Sequence, residues 1–516
     1  MDKIVIIDFG SQYTKLIARR IREENVFSEI VSPYENYMDI VKNDEVKGII
    51  LSGGPKSVYE KNSPKIKKEI FETNKAVLGI CYGLQILSYI LGGKVRASSK
   101  REYGLANFKI LRESPLFYGI NKKSFKVWMS HGDEVLEIPD GFIKTGETDF
   151  CFYASIENPK KKIYGIQFHP EVFHTEFGKE IIRNFIFNIC NAKKGWFLED
   201  FIEKTRGELK KYKDKHCFLA LSGGVDSSTL AFLLEPVFKE NLYLIFVDTG
   251  LLRKGEKERV KNLFKDFKNL KIVDAEREFL RSLKGVKDPE KKRKIIGKLF
   301  LKIFKNEILK ILKVKKIKRN TVCLAQGTLY PDVIESRSFV GPSSKIKTHH
   351  NVGGLPKKHP FILIEPFKEL FKDEVRKIAK KLSLPSDLIE RHPFPGPGLA
   401  VRIVGEIDKK KIKILQKADE ILEEELKKEG IYNKVWQAFC IFLPVKSVGV
   451  MGDKRTYENV IVLRIVESSD AMTADFSKIP YEILDRIARR IIGEIKGINR
   501  VLYDITSKPP ATIEWE

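Results

Sequence analysis

Residues 219–234 read LALSGGVDSSTLAFLL, which places a strand, a tight glycine loop and a helix in immediate succession. The apolar run from Phe218 to Leu221 fits a buried strand, and Leu230, Ala231, Leu233 and Leu234 mark the apolar side of a helix. Between them lie Ser222, Gly223, Gly224, Val225, Asp226, Ser227 and Ser228, a turn whose N–H groups, hydroxyls and helix N-terminus suit a pyrophosphate-sized anion. A Walker loop would add a lysine that reaches the terminal phosphates of ATP. This loop has none. It therefore fits chemistry in which the β- and γ-phosphates leave together and the adenylyl group is transferred, with Asp226 available to help place magnesium on phosphate oxygens.

Outward from the loop, LYLIFVDTG and LKIVDAE continue a series of strands and helices, as in an α/β domain with a mainly parallel sheet. Asp248 ends the first of these strands, where such folds bind ligands, although a capping role fits it equally. Upstream, IVIIDFG, GIILSGGP, AVLGIC and KIYGIQFHP form another α/β series. Downstream, the Pro/Gly-rich RHPFPGPGLAVRIVGE stops regular structure and precedes an α+β pattern. The expected organisation is two α/β domains with mainly parallel sheets, residues 1–192 and 193–390, and a C-terminal α+β domain, residues 391–516.

A chain of 516 residues with 42% hydrophobic residues can build several packed cores. The 94 Lys+Arg against 69 Asp+Glu give a net charge of +25. That excess could attract a polyanion, but it is scattered among acidic and apolar residues, as on solvated helix faces. No nucleic-acid partner is expected. Six cysteines without a Cys-x-x-Cys pair argue for a reducing compartment and against structural zinc. AVLGICYGLQILSYILGG is interrupted by glycines, Gln85 and Ser88, and the chain opens directly into a strand, so a cytoplasmic location without a membrane span is expected.

Gly79-Ile80-Cys81-Tyr82-Gly83 has the G-x-nucleophile-x-G form of an elbow between strand and helix, where the helix N-terminus lowers a thiol's pKa. A lone cysteine at a strand end is more often inert core. GIQFHPEV changes the weighing, because a strand ending in His169 with Glu171 two residues on supplies a base and a carboxylate to orient it. With LSGGP at 51–55, the first segment resembles class I glutamine amidotransferases. The resemblance implies glutamine hydrolysis through a Cys81 thioester, with an oxyanion hole from the N–H groups of Gly54 and Tyr82. It also implies glutamine recognition by Gln85 and by Ser130, His131, Gly132 and Asp133.

The central loop resembles N-type ATP pyrophosphatases. With RHPFPGPGLAVRIVGEI, FLPVKSVGVMGDKRTYENVIVLRIVES and the terminal SKPPATIEWE, the whole chain is similar to the glutamine-hydrolysing GMP synthetase family. That resemblance implies adenylation of the O2 of xanthosine monophosphate (XMP) by MgATP, then amination by ammonia from the first domain, in a homodimer formed through the C-terminal domain. It implies XMP contacts from Arg293, Asp332, Gln437, Arg500, Lys508, Ile513 and Glu514, and a lid carrying Lys347, His349 and His350. Chemically, Lys508 and Glu514 could instead be a surface ion pair and Arg293 a solvated basic residue. The role of Arg337 is open. Because free ammonia would be wasted, and two active sites lie on separate domains with a glycine-containing lid, glutaminase activity is expected to be low until XMP and ATP are bound. A tRNA-thiolating or lysidine-forming enzyme would share the loop but would not need the amidotransferase segment.

Overall fold

The computed structural model describes residues 1–337, 361–468 and 473–516. They form two compact units, one of Met1–Phe197 and one of Leu198–Arg337 with the described part of Pro342–Glu516.

The first unit is built on nine strands: β1 (Lys3–Ile7), β2 (Phe27–Val31), β3 (Val46–Leu51), β4 (Ala76–Ile80), β5 (Lys94–Ile110), β6 (Ser124–Glu137), β7 (Ile143–Glu147), β8 (Ser155–Asn158) and β9 (Ile163–Ile166). Their order is β2-β1-β3-β4-β9-β8-β7-β5-β6. The neighbours from β2 to β9 are parallel, and those from β9 to β6 are antiparallel. Every residue of β4 and β9 is buried, as continuous apolar runs require in strands covered on both faces. Because β1, β3, β4 and β9 point the same way, the turns after all four emerge at one sheet edge.

The described residues of the second unit form two sheets. β10 (His216–Leu221), β11 (Leu242–Asp248), β12 (Leu270–Asp274), β13 (Val322–Ala325) and β14 (Ile362–Ile364) form an all-parallel sheet of order β12-β11-β10-β13-β14. β15 (Gln437–Met451), β16 (Lys454–Glu467) and β17 (Asp475–Phe476) are antiparallel, and β18 (Ile498–Tyr503) joins β16 in parallel. One hydrophobic core runs from Phe218 and Ile245 beside the parallel sheet, through Leu399 and Leu415, to Ile461 and Ile487 beside the other. Residues on either side of the Pro/Gly-rich segment are thus bound into one body. Among the described residues, no helix is long and apolar enough to cross a membrane.

Candidate active sites

In the first unit, the chain leaves β4 into Cys81, whose φ of +53° and ψ of −108° put it in a conformation that L-residues rarely adopt, immediately before the helix Tyr82–Ile90. Such strain persists only where the surroundings impose it. Gly83 explains why small flanking residues are needed: a Cβ there would lie 2.1 Å from the Leu51 carbonyl oxygen on β3. The Cys81 N–H donates to Ile166 O at 2.8 Å, and its thiol lies 3.6 Å from Ser130 O on β6.

His169 lies in the turn after β9, three residues beyond the last strand residue and not at the strand end itself. Its Nδ1 faces Glu171 Oε1 at 2.8 Å, and both side chains are buried. Its N–H donates to Trp128 O at 3.0 Å, Thr175 Oγ1 donates to its carbonyl at 2.6 Å, and the Tyr13 ring meets it edge-on at 4.9 Å. Burial alone would push the imidazole pKa down; the Glu171 carboxylate and the Cys81 sulfur outweigh it and hold the pKa well above its ordinary value. His169 is therefore set up to hold the proton that the thiol gives up.

Gly54 packs against Phe9 and the Tyr82 ring, so the two residues expected to supply oxyanion donors lie side by side. Gln85 Nε2 donates to Asp133 O at 3.0 Å, and His131 Nδ1 meets the same carbonyl at 2.9 Å. Tyr59 OH donates to Asp133 Oδ1 at 2.9 Å. The 130–133 segment, Gly132 included, is thereby fixed on β6 beside Cys81. Tyr13 and Gly53 border His169 as well, and Ser11 lies against Gly53; Gly53 falls within LSGGP, whereas no motif in the sequence marked Tyr13 or Ser11.

In the second unit, the loop after β10 is braced by its own serines. Ser227 Oγ lies 3.0 Å from Ser222 Oγ and accepts the Ser222 N–H at 3.2 Å, while Ser222 Oγ accepts the Gly224 N–H at 3.3 Å. Gly223 has φ +77°, and a Cβ there would meet Glu256 Oε1 at 2.6 Å. Glu256 is itself gripped by Arg391 at 2.6 and 2.5 Å. Val225 opens the helix Val225–Phe238, whose first N–H groups lack intrahelical acceptors. Among the described residues, Asp226 Oδ1 and Ser228 Oγ are buried without a hydrogen-bond partner. Lys372, at the start of the helix Lys372–Lys381, brings its Nζ to 3.7 Å from Asp226 Oδ2. A cation thus stands beside the lysine-free loop, supplied from far along the chain. Asp248 accepts the Gly250 N–H at 3.1 Å and sits 3.4 Å from Lys257, so it braces the turn after β11.

Glu514 is bonded to Gln437 at 2.9 Å and bidentately to Arg402 at 3.0 and 2.8 Å. Arg293 donates to the carbonyl of Glu516, two residues further on. Ile513 is buried among Phe439, Ile441 and Val462. Lys508 pairs through its backbone with Ala474 at 2.7 and 3.1 Å, while the Glu514 carboxylate is taken by Arg402 and Gln437 and not by Lys508, the surface partner that sequence alone allows. Asp332 Oδ2 accepts the Leu329 N–H at 3.0 Å, and Arg500 Nε donates to Ser447 Oγ on β15 at 2.6 Å. Both of these bonds go to partners other than the Gln437–Glu514 pair. Lys347, His349 and His350 lie outside the described residues, and Arg337 is the last residue of the helix Tyr330–Arg337.

Close to Gln437, His392 stacks on Tyr432 at 3.8 Å; its Nε2 donates to Tyr432 O at 2.8 Å and its Nδ1 accepts the Ala438 N–H at 3.1 Å. A second ring proton would oppose that N–H, and burial pushes the pKa down to about 4. Above about pH 6.5 the ring is neutral in folded and unfolded chains alike; between there and about 4 only the unfolded chain takes up the proton, so stability falls with pH. The full gap is worth about 3 kcal/mol. Urea unfolding of His392→Asn is expected to lose about 2 kcal/mol less than wild type between pH 7 and 4.5; parallel losses would refute this.

Residues 5–189 match the class-I glutamine amidotransferase family, and residues 424–515 match the GMP synthase C terminal domain family. A glutamine-hydrolyzing GMP synthase of Brachyspira hyodysenteriae is 55% identical over 100% of this chain and 99% of its own. Those of Aquifex aeolicus and Thermosipho africanus are each 54% identical, over 99% of both chains in the first case and 100% of both in the second.

Proposed function

Since the chain belongs to the glutamine-hydrolysing GMP synthase family, we propose that it aminates XMP at C2, with residues 1–192 releasing ammonia, 193–390 adenylating XMP, and 391–516 completing the nucleotide site and a homodimer contact. The observation that carries this reading is the pairing of a thiol triad at one sheet edge with a lysine-free phosphate loop at another.

In the first site, His169 takes the Cys81 proton and the sulfur attacks the glutamine carboxamide. The oxyanion accepts the N–H groups of Gly54 and Tyr82. His169 then protonates the departing ammonia, and water attacks the thioester to give glutamate and restore the thiol. Glu171 holds the ring with Nε2 toward the sulfur.

In the second site, the 222–228 turn and Lys372 hold the β- and γ-phosphates of ATP. XMP O2 attacks the α-phosphorus and pyrophosphate leaves; ammonia then attacks C2, and AMP departs with the former O2. The orphaned Asp226 Oδ1 suits a hard cation already carried by phosphate oxygens. Magnesium held there by Asp226 would neutralise charge on the leaving pyrophosphate. Gln437 and Glu514 supply hydrogen-bonding groups for a planar base, and Lys508, Arg293 and Arg500 supply cations for its phosphate. These substrates are consistent with a location in the cytoplasm.

A thiolating reading would need a reactive cysteine pair near the loop. Cys217 and Cys323 are neighbours across β10 and β13, but burial pushes Cys217 well up and Cys323 to about 11, which leaves them inert. Incubation with XMP, MgATP and an ammonium salt tests the proposal: GMP, AMP and pyrophosphate are expected in equal amounts, whereas ADP and phosphate would overturn it.

A further inference from the structure

Residues 504–516 return over the second unit along three cations whose side chains are fully buried. Arg464, on β16, donates to Thr506 O at 2.6 Å and Thr512 O at 3.2 Å, with the Asp504 carboxylate at 3.4 Å. Arg402, in the short turn Gly398–Arg402, holds the Glu514 carboxylate bidentately; its guanidinium lies 4.0 Å from the Phe439 ring centre and 3.7 Å from Asp419. Lys292, in the helix Pro289–Val314, donates to Ile403 O at 2.7 Å and Ala400 O at 3.2 Å and pairs with the Glu516 carboxylate. The other Glu516 oxygen accepts the Gly405 N–H at 3.1 Å.

Three buried charges are an expensive way to fasten a chain end, because each loses its hydration and an apolar contact of the same size holds at least as well. What charge and directed hydrogen bonds add is geometry: the Arg402 fork fixes the plane of the Glu514 carboxylate, and Arg464 fixes the backbone on both sides of Lys508. Ile513, set between these clamps, fills the small core beside Phe439.

We propose that Arg402, Arg464 and Lys292 are positioning residues for XMP, holding the terminal segment so that Lys508, Ile513 and Glu514 meet the nucleotide in a fixed arrangement. This rests on the reading of those three as XMP contacts.

The test uses the full chain with ammonium as nitrogen source. Arg402→Lys keeps the charge and loses the fork. It is expected to raise KM for XMP about tenfold while KM for ATP stays within about twofold, with the melting temperature near that of wild type. If that variant does not fold, Glu516→Gln, which only weakens the Lys292 clamp, is expected to raise KM for XMP about threefold. Carboxypeptidase should release the terminal residues faster from either variant. KM for XMP unchanged despite a released tail, or KM for XMP and ATP rising in parallel with a lowered melting temperature, would overturn the proposal. Lys508→Met separates the two failures: if it leaves KM for XMP unchanged, the tail does not contact XMP at all, and the positioning role falls for that reason.

Discussion

Cys81→Ala is expected to cut glutamine-dependent GMP formation by at least about 10⁴-fold and to leave ammonium-dependent formation within about twofold of wild type. The sulfur is the one atom at the elbow able to form the thioester, and the strained φ of +53° that sets it at the turn belongs to the backbone, so alanine removes the nucleophile while the turn persists. Alanine also removes the sulfur beside His169, whose Nδ1 still faces Glu171. The loss therefore falls on ammonia supply alone. Assays with each nitrogen source in parallel check this; equal losses with both would mean that the two chemistries do not occupy separate sites.

Asp226→Asn should behave in the opposite way, lowering synthesis from glutamine and from ammonium alike by about a hundredfold or more. The substitution preserves shape, so the helix start at Val225 is retained. It removes the negative charge that faces Lys372 at 3.7 Å and that would share a cation with the triphosphate. Near-wild-type turnover of the variant with saturating MgATP would remove Asp226 from the adenylation site and leave unexplained its buried Oδ1, which has no partner among the described residues.

Much of this was legible in the sequence because the motifs are local. A strand running into SGGVDSS and then an apolar helix can fold in few ways, and Gly79 and Gly83 around Cys81 announce a crowded turn. His169 and Glu171 were readable as a pair because two residues of separation let a carboxylate reach its own neighbour's ring. Contacts made by chain reversal were not readable. Lys372 lies in a helix that looks like any amphipathic surface helix, and only the parallel order of β10, β13 and β14 brings the chain beyond β14 back to Asp226. Arg402, Arg464 and Lys292 sit in a lysine-rich chain where a cation is by default solvated, so nothing local told them from their exposed neighbours. Conversely, Lys508 and Glu514 invited pairing by proximity in sequence, whereas Glu514 turns to Arg402 and Gln437.

The chemistry of the second site turns on the lysine-free loop releasing pyrophosphate and leaving an adenylate on XMP O2. The fate of that oxygen tests it most directly. XMP carrying ¹⁸O at C2, turned over with MgATP and ammonium, is predicted to yield AMP with the label in its phosphate and pyrophosphate without it. Label in inorganic phosphate, with ADP formed in place of AMP, would contradict adenylyl transfer at this loop.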